Sequence, residues 1–181
     1  MAFYSLSLDI VVSILVVLLA GGWDLRTGHI PNWLTYSGAL AGLTLALWFG
    51  GLAGLGISLA GFAIAFIPSL VLFSLGVLGG GDVKLLAALG ALVGYPVIFD
   101  ILFYSIVAGS ALALAVIIWQ GRVLETLRGL GGLLQALFYP GLAKSVPTND
   151  LHIPFGVAVA IGTLWALLLP AWRITALLPG G

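Results

Sequence analysis

The chain has 181 residues, of which 62% are hydrophobic and only 7% charged. Soluble domains carry roughly 25% charged residues, so this is the composition of an integral membrane protein. Six basic and six acidic side chains cancel, which excludes a basic face for nucleic acid, and the lack of cysteine excludes disulfides, thiolate zinc sites and a cysteine nucleophile.

A membrane-crossing helix needs about 20 mostly apolar residues. The first such run extends from about Leu6 to Trp23, with Asp9 near its outer end. Met1-Ala2-Phe3-Tyr4-Ser5 has no Lys or Arg before this run, so it reads as the start of the span and not as a cleaved leader. A polar turn, Asp24 to Asn32, leads into a second span ending near Phe49. Gly50-Gly51 makes a tight connection to a third, from about Leu52 to Leu78. That span contains Pro68, where a kink is expected, and Gly79-Gly80-Gly81 is expected to break it. A fourth helix starts at Asp82 or Val83 and ends near Val93, short for a crossing. A fifth span covers about Val97 to Trp119. From Arg122 to Phe138, leucines at helical spacing alternate with Arg122, Glu125, Arg128 and Gln135, which predicts an amphipathic helix in the interface. Polar residues Lys144 to His152 precede a last span, about Ile153 to Trp172. The expected fold is all-α and polytopic, with about six transmembrane helices in one membrane domain over residues 1–181.

Positive charges set the orientation. Arg26, Lys84, Arg122, Arg128 and Lys144 all fall in or beside connections on one side, with Arg173 the exception. The positive-inside rule makes that side cytoplasmic. Asp24 and Asp82 then share the cytoplasmic face. Ionisable groups at membrane depth are costly and therefore functional candidates.

Two carboxylates hydrolyse a peptide when one is ionised and takes a proton from water while the other, protonated, polarises the scissile carbonyl. Close like charges favour such sharing of one proton. Gly79, Gly80 and Gly81 beside Asp82 give a substrate backbone room to approach. Blander readings compete. Asp82 sits where a helix begins and Asp is a favoured N-cap. Asp24 makes an ordinary interfacial pair with Arg26 in the alternative reading. Lys84 reads as a side chain snorkelling to the headgroups. His29 and His152 are too few for a zinc site without carboxylates, and no metal or other cofactor is expected. Asp9 and Asp100 belong to the outward side, and Asp150, near the cytoplasmic end of the last span, is the only plausible third acid for the site. Gly38/Gly42, Gly50/Gly54 and Gly90/Gly94 have the small-xxx-small spacing of close helix packing. His-Glu-x-x-His is absent, and Ser110 has no histidine at its depth.

Gly79-Gly80-Gly81-Asp82 matches the Gly-x-Gly-Asp signature of membrane aspartyl proteases. In the context Gly-Gly-Gly-Asp-Val-Lys-Leu-Leu-Ala-Ala-Leu-Gly, residues 79–90, it resembles the second catalytic segment of the type IV prepilin peptidases. Asp24, with Pro31-Asn32 following, resembles the first, and Ile153-Pro154-Phe155-Gly156 resembles the family's C-terminal segment. The resemblance implies that Asp24 and Asp82 are the catalytic pair, with Lys84, Pro31 and Asn32 in support. It implies cleavage of precursor pilins or pilin-like proteins after a short basic leader at the cytoplasmic membrane face. Long bacterial members carry a Cys-x-x-Cys segment linked to N-methylation. Without cysteine, methyltransferase activity is expected to be absent. The layout is similar to the stand-alone peptidases of Flp-type pilus systems. Two other classes remain open at this point. A proton-coupled carrier predicts symmetry between chain halves, and a non-catalytic assembly protein predicts that neither aspartate matters to precursor processing.

Overall fold

A computed structural model describes residues 8–121 and 155–168, and these residues are helical with short connections. The helices are α1 (Leu8–Thr27), α2 (Asn32–Ser74), α3 (Gly80–Val93), α4 (Ile98–Trp119) and α5 (Phe155–Leu168). Helices α1, α2 and α4 are long and apolar enough to cross a membrane, and α5 is a shorter apolar helix. The chain divides into two compact units, one of residues 1–109 with 154–181, the other of residues 110–153. The site lies in the first. The interfacial helix expected over Arg122–Phe138, the polar stretch Lys144–His152, Asp150 and Arg173 fall outside the described residues.

Helix α2 is 43 residues long, and Gly51 (φ 59, ψ −150) is the residue inside it that leaves helical geometry. A straight helix of that length would run about 65 Å at 1.5 Å per residue. Yet Gly42 and Ser58, on either side of Gly51, both touch Ala91: a Cβ on Gly42 would lie 2.6 Å from the Ala91 carbonyl carbon, and Ser58 Oγ donates to Ala91 O at 2.6 Å. Helix α2 is therefore a hairpin folded at Gly51, its two halves closing on α3. The expected connection at Gly50-Gly51 is found. Its backbone sits in a region that residues with a Cβ essentially never occupy, so glycine is required there. Pro68 does not interrupt the second half; Ser69 Oγ donates back to Ala65 O at 2.6 Å.

The second half ends at Ser74, earlier than the triple glycine expected to break it. Gly76 (φ 73) is the stop. Its N–H reaches Phe73 O at 2.9 Å and that of Val77 reaches Leu72 O at 2.9 Å. This is the Schellman pattern, which satisfies the last carbonyls and needs a left-handed residue at that step. The triple glycine instead opens the next helix: Gly79 is its N-cap and Gly80 and Gly81 lie inside α3.

Helix α3 is the centre of the unit, with Val83 and every residue from Leu85 to Leu92 buried. It packs chiefly on α2 and also touches α1 and α5. Small residues permit this. Gly61 of α2 and Gly90 of α3 meet backbone to backbone, and a Cβ on Gly61 would also come within 2.7 Å of Gly94 Cα. Helix α1 contributes a buried stripe, Ser13, Val16, Val17, Ala20, Gly21 and Asp24, at helical period. Its other face, with Leu15, Leu18, Leu19 and Leu25, is exposed as lipid-facing surface would be. Helix α5 packs on α1 and on the first half of α4, where Tyr104 and Trp165 have ring centroids 6.2 Å apart.

Candidate active site

Asp24 continues the inner stripe of α1 and is 6% exposed. The helix ends one turn later because Gly28 (φ 67) donates its N–H to Asp24 O at 2.8 Å. The Asp24 carboxylate points into the bundle, where Oδ2 accepts the N–H of Gly156 at 2.8 Å. Gly156 is the second residue of α5. The first N–H groups of a helix lack intrahelical acceptors, so this one is free to donate outward. Arg26, by contrast, is exposed. Burial and the Gly156 bond thus displace the reading of Asp24 as a surface partner of Arg26.

Four residues, Gly28 to Pro31, connect α1 to α2. Thr27 Oγ1 lies 3.1 Å from His29 O and Trp23 meets Trp33 edge to face at 6.1 Å, which braces the turn from both ends. Ile30 is buried and fills the space beside Gly81, where a Cβ would sit 3.2 Å from Ile30 Cβ. The connection that follows Asp24 therefore rests on the first turn of α3, which carries Asp82.

Asp82 is the third residue of α3 and not its N-cap. Its Oδ2 accepts the Gly79 N–H at 3.1 Å, the reach-back half of a capping box. The carboxylate is half-buried. The three glycines do different work. Gly79 is exposed and its missing side chain leaves room for the carboxylate, Gly80 faces Phe73, and Gly81 admits Ile30. One turn on, Lys84 Nζ donates to Asn32 Oδ1 at 2.7 Å and lies 5.4 Å from the centre of the Tyr36 ring. Lys84 is thus tied to the start of α2 and does not simply snorkel to headgroups. Lys84 and Asn32, singled out separately in the sequence, form one contact, and Pro31 is the N-cap of α2. Gly156 and Tyr36 were not among the site residues expected. The Asp24–Gly156 contact spans 132 residues of sequence, and the one signal for it was the likeness of the segment that contains Gly156. Among the described residues, no group of three or more His, Cys, Asp or Glu gathers as a metal site would.

This arrangement places a buried carboxylate and a helix-initiating Gly-Gly-Gly-Asp step on elements packed against each other. Residues 11–114, which contain both aspartates, match the model of the type IV leader peptidase family. The chain belongs to that family. Prepilin leader peptidase/N-methyltransferases of Burkholderia pseudomallei strains 1026b and K96243 are each 38% identical to it over 107 residues, covering 55% of this chain and 34% of theirs. The chain thus spans about a third of the length of these curated relatives. No solved structure matches. A type IV leader peptidase family member with these apolar helices is a multi-pass membrane protein.

Proposed function

We propose that this chain is a membrane aspartyl endopeptidase that removes the leader of type IV pilin-like precursors, with Asp24 and Asp82 as its catalytic pair. The observation that carries the reading is the buried Asp24 carboxylate, which a bundle of apolar helices would otherwise exclude. The family match across both aspartates supports the substrate class. One carboxylate takes a proton from water, whose oxygen attacks the scissile carbonyl; the other, protonated, donates a hydrogen bond to the carbonyl oxygen. The proton taken from water then passes to the leaving nitrogen, and collapse of the tetrahedral intermediate breaks the C–N bond to release the leader's new C-terminal carboxyl and a new pilin amine. Gly79, exposed beside Asp82, gives the substrate backbone its approach.

The two halves of α2 count as separate crossings, which with α1, α3, α4 and α5 makes six. The charge bias then sets the pair at the cytoplasmic face of the cell membrane, where a basic leader is available. The absence of cysteine favours peptidase without methyltransferase activity. Among such precursors, the resemblance points to those of Flp-type pilus systems.

Co-expression with a pilin precursor from the same genome tests the reading. Wild type should shorten the precursor, and Asp24→Asn and Asp82→Asn, present at equal membrane levels, should not. Shortening that survives either substitution removes that residue from the chemistry. No shortening across several precursors returns the carrier and assembly readings.

A further inference from the structure

Resting on the peptidase reading, we infer that Gly156 is a positioning residue for Asp24, its N–H and its missing side chain together fixing where the carboxylate stands. Residue 156 lies beyond the stretch that matches the family model, residues 11–114. Two observations carry the assignment. Asp24 Oδ2 takes the Gly156 N–H at 2.8 Å in a buried setting. A Cβ at Gly156 would also lie 2.9, 3.0 and 3.1 Å from Oδ2, Cβ and Cγ of Asp24. Asp24 Cβ is anchored by the α1 backbone and cannot swing away, so relief requires the carboxylate to rotate or α5 to move. The seam leaves little slack for α5: a Cβ on Gly21 would be 3.3 Å from Ala160 Cβ and 3.6 Å from Gly156 O. Either response breaks the 2.8 Å bond or displaces the acid. Displacement of a reacting group by about 1 Å costs up to about 100-fold in rate.

The test uses the full-length protein in membranes and, as probe, the leader and first apolar helix of a type IV pilin precursor. Gly156→Ala should lower kcat by about 10- to 100-fold with KM changed less than about twofold. Gly22→Ala, two residues before Asp24 on the exposed side of the same helix and with nothing within 4 Å of its Cβ, should behave as wild type. A Gly156→Ala enzyme with wild-type kcat overturns the inference and leaves the peptidase reading standing. If the wild type itself cleaves nothing, the reading fails, and the positioning role falls with it.

Should Gly156→Ala accumulate poorly, a thermal-unfolding cycle decides. Asp24→Gly removes all three contacting atoms, so the Gly156→Ala penalty should disappear in that background. An equal penalty with and without the Asp24 side chain overturns the inference.

Discussion

Gly42→Ala tests whether α3 is clamped by both halves of α2. The added Cβ would stand 2.6 Å from the carbonyl carbon of Ala91 and the nitrogen of Leu92, and 2.7 Å from Ala91 O. All three are backbone atoms, so no side chain can rotate aside. Ordinary contact begins near 3.4 Å, which requires the helices to part by roughly 0.8 Å. The parting also strains the Ser58 bond to the same Ala91 carbonyl on the other half of the hairpin. Overpacking of this kind costs about 1–3 kcal/mol. For a chain of this size each kcal/mol lowers Tm by about 2–4 °C, so the expected loss is about 2–12 °C. The assay is thermal unfolding in detergent, with Gly56→Ala as companion. Gly56 lies in the same helix with nothing within 4 Å of its Cβ, so alanine there should be neutral or stabilising by up to about 1 kcal/mol. If the two substitutions shift Tm alike, the hairpin does not close on α3 as described.

Gly51→Ala forces a Cβ into a conformation (φ 59, ψ −150) reserved for glycine, and should lower stability by about 1–3 kcal/mol in the same thermal assay although its surroundings are open. Lys84→Met and Asn32→Ala should be non-additive in a double-mutant cycle, with a coupling of about 1 kcal/mol, because one exposed hydrogen bond links them. Asp82→Asn keeps an oxygen able to accept the Gly79 N–H, so it should leave stability within about 1 kcal/mol of wild type while abolishing precursor shortening. Loss of fold together with activity would assign Asp82 to helix initiation alone.

Much of this was legible in the order of apolar runs and glycines. The apolar helices and the Gly50-Gly51 connection follow from hydropathy and punctuation, which are local properties. Helix ends were harder. Three consecutive glycines outweigh a single one by propensity, yet Gly76 stops α2 because it supplies the left-handed step, while Gly79–Gly81 start α3 because the Asp82 carboxylate caps Gly79 from within the helix. The bonds Lys84–Asn32 and Asp24–Gly156 join residues 52 and 132 positions apart. No periodicity encodes such pairs; they arise from how the helices cross. Likewise the small residues Gly38, Gly42 and Gly90 announce close packing without naming the partner, and Gly61 completes the contact with Gly90.

Helix α3 has 14 residues, about 21 Å at 1.5 Å per residue, against a hydrocarbon thickness of about 30 Å. A lipid-facing helix of that length would have to thin the bilayer around it. Enclosure by α1, α2 and α5 spares it this, since its flanks meet protein and not acyl chains. Lipid thickness therefore acts directly on α1, with its exposed leucines, and reaches α3 only through its neighbours. The two acids thus ride on helices that meet the membrane differently: lipid chain length bears directly on the carrier of Asp24 and on that of Asp82 only through the helices around it.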